Sequence, residues 1–393
     1  MPQLDLARLR ADTPGCADRI FLDSAGSSLP PEPVVRAVVA HLRREAEVGG
    51  YVAADEREHD LEGLRASLGH LLGCAADSIA LTDSATRAWA QVFYAVPLAA
   101  GDRILVTQAE YASNAVAALQ RARAAGAAVE AIPSDASGQL DLDALEQMLD
   151  ERVRLVSLVH VPTNGGLVNP VGEATALAHG VGALVLLDAC QSVGQLELDV
   201  GALGVDALSG TGRKWLRGPR GTGFLYVRPE LAAALEPPVL DLHSATWSGP
   251  DSYELRPDAQ RFELWESDVA ARLGLKAAVE YLLELGVSEV AAAVQARARR
   301  LRELLAARDG VSVHDLGREH SGIVSFAVAG RDAADVRDEL ARRRVTVTVS
   351  NRSSTLLDMS ARSLTSLVRA SPHYFVSDEQ LAEAANAVGE LVR

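Results

Sequence analysis

Seven short apolar runs between Ser78 and Val227 (SIALT, RILVTQ, AAVEAIP, RLVSLVHV, ALVLLDA, DALSG and GTGFLYV) alternate with segments of helical periodicity. Those segments include RAWAQVFYAV, NAVAALQRARA, LDALEQMLDE and VGEATALAHG. Strands that are apolar on both sides need cover on both faces, and helical intervals supply it while returning the chain in parallel. The expected fold class is α/β, a mostly parallel sheet with helices on both faces and right-handed crossovers.

Beyond Pro257 the pattern changes. Two helix-like stretches, DVAARLGLKAAVEYLLEL and SEVAAAVQARARRLRELLAA, precede the strand candidates GIVSFAV and RVTVTV, with a helix between these and another after Ser377. This reading divides the chain into an N-terminal segment (1–20), a large domain (21–257) and a small α+β C-terminal domain (258–393). No internal repeat or low-complexity stretch separates the lobes, so a hinge rather than a tether is expected.

Bulk properties narrow the function classes. With 48% hydrophobic and 23% charged residues, the 393-residue chain has the balance of a globular enzyme, not of a disordered segment. A formal net charge of −15 argues against nonspecific nucleic-acid binding. The basic runs ARARRLREL and ELARRRV fall in helical patterns and read as solvated faces. Cys16, Cys74 and Cys190 are widely spaced, without a CxxC pair or a histidine at ligand spacing. No metal site and a reduced, cytoplasmic setting are therefore expected. Neither the acidic N-terminus nor any later apolar run reads as a secretion or membrane segment.

Lys214 and Lys276 are the two lysines in a chain with 38 lysines and arginines together. Arginine replaces lysine as a surface charge but stays protonated, whereas a desolvated lysine amine can lose its proton and attack a carbonyl. Lys276, in DVAARLGLKAAVEYLL, reads as one polar position on a helix. Lys214 sits in ALSGTGRKWLRGPRGTGFLYVR, a glycine-rich stretch leading into an apolar strand and a poor place for a solvated charge. LVLLDACQS puts Asp188 at the carboxyl end of a strand, where open parallel sheets bind ligands, with Gln191 one turn further on. Asp188 alone also reads as a helix cap. Taken with Lys214, one strand and loop later, it points to a pyridinium partner and a Schiff-base amine, the two groups pyridoxal phosphate needs most.

From FLDSAG near the N-terminus to VRASPHYFVSDEQL near the C-terminus, the chain resembles the fold-type-I pyridoxal-phosphate enzymes, in particular the class-V aminotransferase and cysteine desulfurase group. The resemblance implies a type I PLP-dependent transferase fold, pyridoxal 5′-phosphate as cofactor, an amino-acid substrate and a homodimer with shared active sites. By matching position, Lys214 carries the cofactor aldehyde, Asp188 pairs with the pyridine nitrogen and Gln191 approaches the phenolic oxygen. Ser84, Ala85 and Thr86, in ALTDSATRAWAQ, form a phosphate cradle at a helix N-terminus. Thr211 and Arg213 also reach the phosphate. Tyr111, in QAEYASN, falls where desulfurases stack a histidine on the ring; a core tyrosine is the alternative. Thr163 and Asn164, in HVPTNGGLVNP, belong to the substrate-side loop, as do Ala25 and Gly26 of FLDSAG to the substrate side. Arg369, in LVRASPHYF, matches the arginine whose fork grips the substrate carboxylate.

Two departures from that pattern bear on the reaction. SNRSSTLLDMSARSLTSLVR has no cysteine where desulfurases carry their nucleophile, and Cys190 reads as a small packed residue. RFELWESD stands where desulfurases have a glycine–threonine phosphate contact from the partner subunit. With REAEVGGYVAADE and SGTGRKWLRGPRG, it resembles a narrower branch: isopenicillin-epimerase-like proteins, the C–S lyases of ergothioneine biosynthesis and lincosamide-biosynthesis enzymes acting on cysteine S-conjugates. Tyr51, Trp265, Glu266 and Ser267 then line the substrate side, some across a dimer interface. The implied function is β-elimination from a cysteine S-conjugate, giving thiol, pyruvate and ammonia. Transamination or decarboxylating oxidative deamination of an S-substituted cysteine is the alternative, with cysteine desulfuration ranked after it. A pyridoxal-binding transcription regulator is disfavoured because little chain precedes FLDSAG.

Overall fold

The computed structural model describes residues 4–392. All seven apolar runs are strands of one sheet: β1 (Ile79–Thr82), β2 (Arg103–Thr107), β3 (Ala128–Ile132), β4 (Val153–Val159), β5 (Leu184–Asp188), β6 (Ala207–Thr211) and β7 (Gly223–Val227). Their order is β1-β7-β6-β5-β4-β2-β3. The five strands from β6 to β3 are parallel, and β7 runs antiparallel to both β6 and β1. No helix intervenes between β6 and β7, so the chain turns straight back, as antiparallel neighbours allow.

Alternate side chains of β5 show why the runs are uninterrupted. Leu186 enters one apolar cluster with Trp89, Phe93 and Phe262, while Val185 and Leu187 enter the other with Leu158, Phe326 and Phe375. The helices Ala85–Phe93, Ala112–Ala125, Leu142–Met148 and Val171–Gly180 occupy the expected intervals. Ser84 and Asp141 cap two of them by accepting the Arg87 and Ala144 amides.

The C-terminal region carries the helices Val269–Leu285 and Val287–Ala306 and a second, antiparallel sheet. Its strands are β8 (Val311–Val313), β9 (Val324–Val328), β10 (Thr348–Asn351) and β11 (Ser366–Ala370), in the order β8-β9-β11-β10. RVTVTV is divided: Val345–Thr346 pairs in parallel with Ile20–Phe21, and only the rest enters the sheet. That pairing, followed by a bridge between Asp23 and Ser371, ties FLDSAG to the strand carrying Arg369. Among the described residues, no helix is long and apolar enough to cross a membrane.

Candidate active site

Because β4, β5 and β6 are parallel, the loops that follow them open on the same sheet edge. The register sets Val159 beside Asp188 and Asp188 beside Ser209. A pocket at that edge gathers Ser84, Ala85 and Thr86 from the helix after β1, Tyr111 from the segment after β2 and Thr163 from that after β4. It also takes Asp188 from the end of β5 with Gln191 just beyond, and Thr211 from the end of β6 with Arg213 and Lys214 in the turn that follows. Trp89, Asn114, Cys190 and Ser209 complete much of the wall.

The turn carrying Lys214 is held on both sides. Gly218 N donates to Gly212 O (2.8 Å), and the neighbouring Trp215, 1% exposed, donates its indole N–H to Gln191 Oε1 (3.0 Å). Burial lowers the Lys214 pKa, and the nearby Cys190 and Asp188 only partly offset it. Lys276 has the opposite fate. Burial pulls its pKa down, but hydrogen bonds to Glu280 (2.7 Å) and Asp60 (3.4 Å) outweigh this and raise it.

Asp188 accepts the Cys190 amide at Oδ1 (2.9 Å) and the Asn114 side chain at Oδ2 (3.1 Å). Gln191 Nε2 donates to Ala25 O (3.1 Å) and Thr163 Oγ1 (3.2 Å), which brings Ala25 against the pocket. At the other end, Gly223 lets β7 pass under the Ser84–Ala85 turn: a Cβ there would lie 2.4 Å from the Ser84 carbonyl carbon. The N-terminus of Ala85–Phe93 thus faces the pocket, an arrangement able to hold an anion. Ser209 Oγ is buried without a protein partner.

Arg369 is 7% exposed and spreads its fork between two elements. Nη1 donates to Thr163 O (3.1 Å) and Oγ1 (2.7 Å), Nη2 pairs with Asp23 Oδ1 (3.2 Å), and the buried Nε has no partner. Asp23 also explains Gly26, where a Cβ would fall 2.4 Å from its Oδ2. The Gly26 carbonyl accepts from Arg213. Burial raises the Asp23 pKa, which the Arg369 charge only partly reverses.

Other expected residues lie elsewhere. Asn164 turns from the pocket and donates to Asp358 Oδ2 (2.6 Å). Tyr51, Trp265, Glu266 and Ser267 line a separate recess, where the Tyr51 and Trp265 rings stack with centroids 6.1 Å apart. Two residues before Trp265, Glu263, 0% exposed, binds Arg65 at 2.8 Å and 3.0 Å and accepts the Leu81 amide at 2.9 Å. Burial alone would raise its pKa; His243, Arg65 and Arg272 instead hold it down at about 2.

Sequence reasoning missed Glu110, Asn114 and Asp23, and it did not place Cys190 on the pocket wall. Glu110 and Asn114 flank Tyr111 in QAEYASN, and their spacing of four residues across a helix start was the available signal.

A desolvated lysine, a buried carboxylate at the end of the central strand, a helix N-terminus at the pocket and an unpartnered Ser209 hydroxyl fit pyridoxal 5′-phosphate, and the scaffold around them is that of a fold-type-I PLP enzyme. The chain belongs to the class-V aminotransferase family, whose model matches residues 20–383. It is 29% identical to a probable cysteine desulfurase of Methanothermobacter thermautotrophicus over 389 residues, covering 98% of this chain and 97% of that one. The structure of the Escherichia coli cysteine desulfurase CsdA superposes with a TM-score of 0.91 at 25% identity, covering 99% and 98% of the two chains. The cystine C–S lyase C-DES, in complex with its product cysteine persulfide, superposes with a TM-score of 0.87 at 25% identity, covering 96% and 99%.

Proposed function

We propose that the protein cleaves the C–S bond of a cysteine S-conjugate by β-elimination, releasing a thiol, pyruvate and ammonia. The observation that carries this reading is the cysteine-free chain between Asn351 and Arg369, on the approach to the carboxylate-binding arginine. The one cysteine on the pocket wall, Cys190, is a poor nucleophile, because burial pushes its thiol pKa up. C-DES, similar over nearly the whole chain, is itself named a C–S lyase. The motif RFELWESD and its likeness to enzymes acting on cysteine S-conjugates point the same way.

Each residue then has a role. Arg369 takes the substrate carboxylate on Nη2 and Nε in exchange for Asp23, and Thr163 holds Nη1 in place. Tyr111 covers one face of the pocket, and Asp188 would pair with the ring nitrogen of the bound cofactor. Bound pyridoxal phosphate supplies a sink for the negative charge that develops at Cα. Lys214, whose neutral amine is favoured by burial, would remove the Cα proton; the Cβ–S bond would break as the Cα–Cβ double bond forms, and sulfur would depart with the electron pair. Water then hydrolyses the enamine product to pyruvate and ammonia.

Cysteine desulfuration is the second reading, favoured by the names of the relatives and by the place of Cys190 in the pocket. Product analysis separates the two. Thiol and pyruvate in equal amounts are expected from a cysteine S-conjugate, with turnover retained after Cys16, Cys74 and Cys190 are replaced by serine. Alanine with a protein persulfide, lost on Cys190→Ser alone, would establish the desulfurase; transfer of the amino group to a keto acid would establish an aminotransferase.

The proposal includes a homodimer in which Trp265, Glu266 and Ser267 serve the partner's pocket. Tyr51 (76% exposed), Trp265 (51%), Trp247 (82%) and Tyr253 (51%) leave much aromatic surface bare on one chain. Sedimentation over a dilution series is expected to show a dimer, with activity falling as it dissociates. A monomer with full activity would reject this assembly.

A further inference from the structure

One amide bridges two buried carboxyl groups at the floor of the pocket. Asn114 Nδ2 donates to Glu110 Oε1 (3.1 Å) and to Asp188 Oδ2 (3.1 Å). Glu110 is held in turn by the Tyr111 amide at Oε1 (2.9 Å) and by Ser157 of β4 at Oε2 (3.1 Å). Glu110 and Asn114 are each 3% exposed, Ser157 1% and Asp188 8%, so these bonds are largely shielded from solvent. With both N–H groups of Asn114 committed to carboxyl oxygens, a flip of the amide would set its carbonyl against both acceptors. The Asp188 plane therefore rests on the Cys190 amide and on an Asn114 whose orientation Glu110 enforces.

We propose that Glu110 is a positioning residue for Asp188: by gripping the Asn114 amide it fixes the plane of the carboxylate that would meet the cofactor's ring nitrogen, and its ionisation would change the field at that nitrogen. The inference rests on the pyridoxal-phosphate reading of the pocket. Burial first, and the charge of Asp188 second, push Glu110 up to about 8, against partial relief from Asn114, the Tyr111 amide and Ser157. Below that pH Glu110 is a neutral acid that holds Asn114 without adding charge. Above it, a second negative charge appears beside Asp188. The other titratable groups around the pair are Tyr111 on the same turn, Cys190 and Lys214 across the pocket, Arg213 beside Lys214 and His160 at the end of β4. Burial keeps His160 neutral, with its pKa down at about 4, and keeps the Cys190 thiol protonated.

Two variants and two measurements test this. Glu110→Gln preserves shape without titrating, and Glu110→Ala releases Asn114. The first measurement is thermal unfolding of the cofactor-free protein across about pH 5 to 9. A carboxyl whose folded pKa is raised contributes stability that is full below its unfolded value, 4.5, and is lost as pH rises through about 8. Wild type is thus expected to lose stability relative to Glu110→Gln across that window and to run parallel to it above. The second measurement is titration with pyridoxal phosphate, followed by absorbance over the same range. Wild type is expected to show an absorbance transition near pH 8 that Glu110→Gln lacks. Glu110→Ala is expected to bind the cofactor about tenfold more weakly. Parallel stability curves for wild type and Glu110→Gln, or wild-type affinity and absorbance in Glu110→Ala, would overturn the proposal. The predicted stability difference in a protein that binds no pyridoxal phosphate would keep the clamp but overturn both its role toward the ring nitrogen and the cofactor reading.

Discussion

Under the proposed β-elimination, Lys214→Ala is expected to lower turnover of a cysteine S-conjugate by at least about 10³-fold, since it removes the base proposed to take the Cα proton. It also removes the amine proposed to link covalently to the cofactor. Burial favours the neutral amine at this position, and the turn from Gly212 to Gly218 directs it into the pocket. Borohydride reduction followed by peptide mapping should find a pyridoxyl group on Lys214 in wild type and none in the variant. The variant should still bind pyridoxal phosphate reversibly, because the cradle at Ser84, Ala85 and Thr86 is untouched. A label on Lys276, or a variant that retains turnover, would overturn the assignment.

Arg369→Ala should weaken the productive interaction with an amino-acid substrate by roughly 2–5 kcal/mol, measured in kcat/KM, because a desolvated pair loses one partner. Arg369→Lys should recover little of this. A lysine can neutralise Asp23, but it cannot bond Thr163 and a carboxylate at once in one plane. The cofactor's absorbance should stay nearly unchanged in both variants, which separates lost substrate binding from a collapsed site. Unaltered kinetics with either variant would return Arg369 to a structural role between β11 and Asp23.

The large sheet was legible because most of its strands are covered on both faces and read as plain apolar runs; its edge strand β3 is half-exposed and carries Glu130. β11 was not legible, since Ser366 and Arg369 interrupt its apolar pattern, and the strand Ile20–Phe21 is too short to carry a period. The same limits shape the site. Lys214 and Asp188 were visible because each residue type is out of place in its local setting. Asn114 was invisible because the partner that gives it meaning, Asp188, is 74 residues away. Asp23 gains its importance only when the Asp23–Ser371 bridge brings it to Arg369. Thr163 and Asn164 are adjacent in a turn, where consecutive side chains diverge, so the motif pointed to both and the pocket received one.

The contrast between the two lysines has a chemical consequence. Lys276 is 19% exposed and locked as an ammonium between two carboxylates, while Lys214 is the side-chain amine biased toward its nucleophilic form. Excess aldehyde, the free vitamin-derived cofactor included, finds no second amine of comparable reactivity on the described side chains. Among the described side chains, an amine-directed reagent small enough to enter the pocket therefore has one favoured target, Lys214.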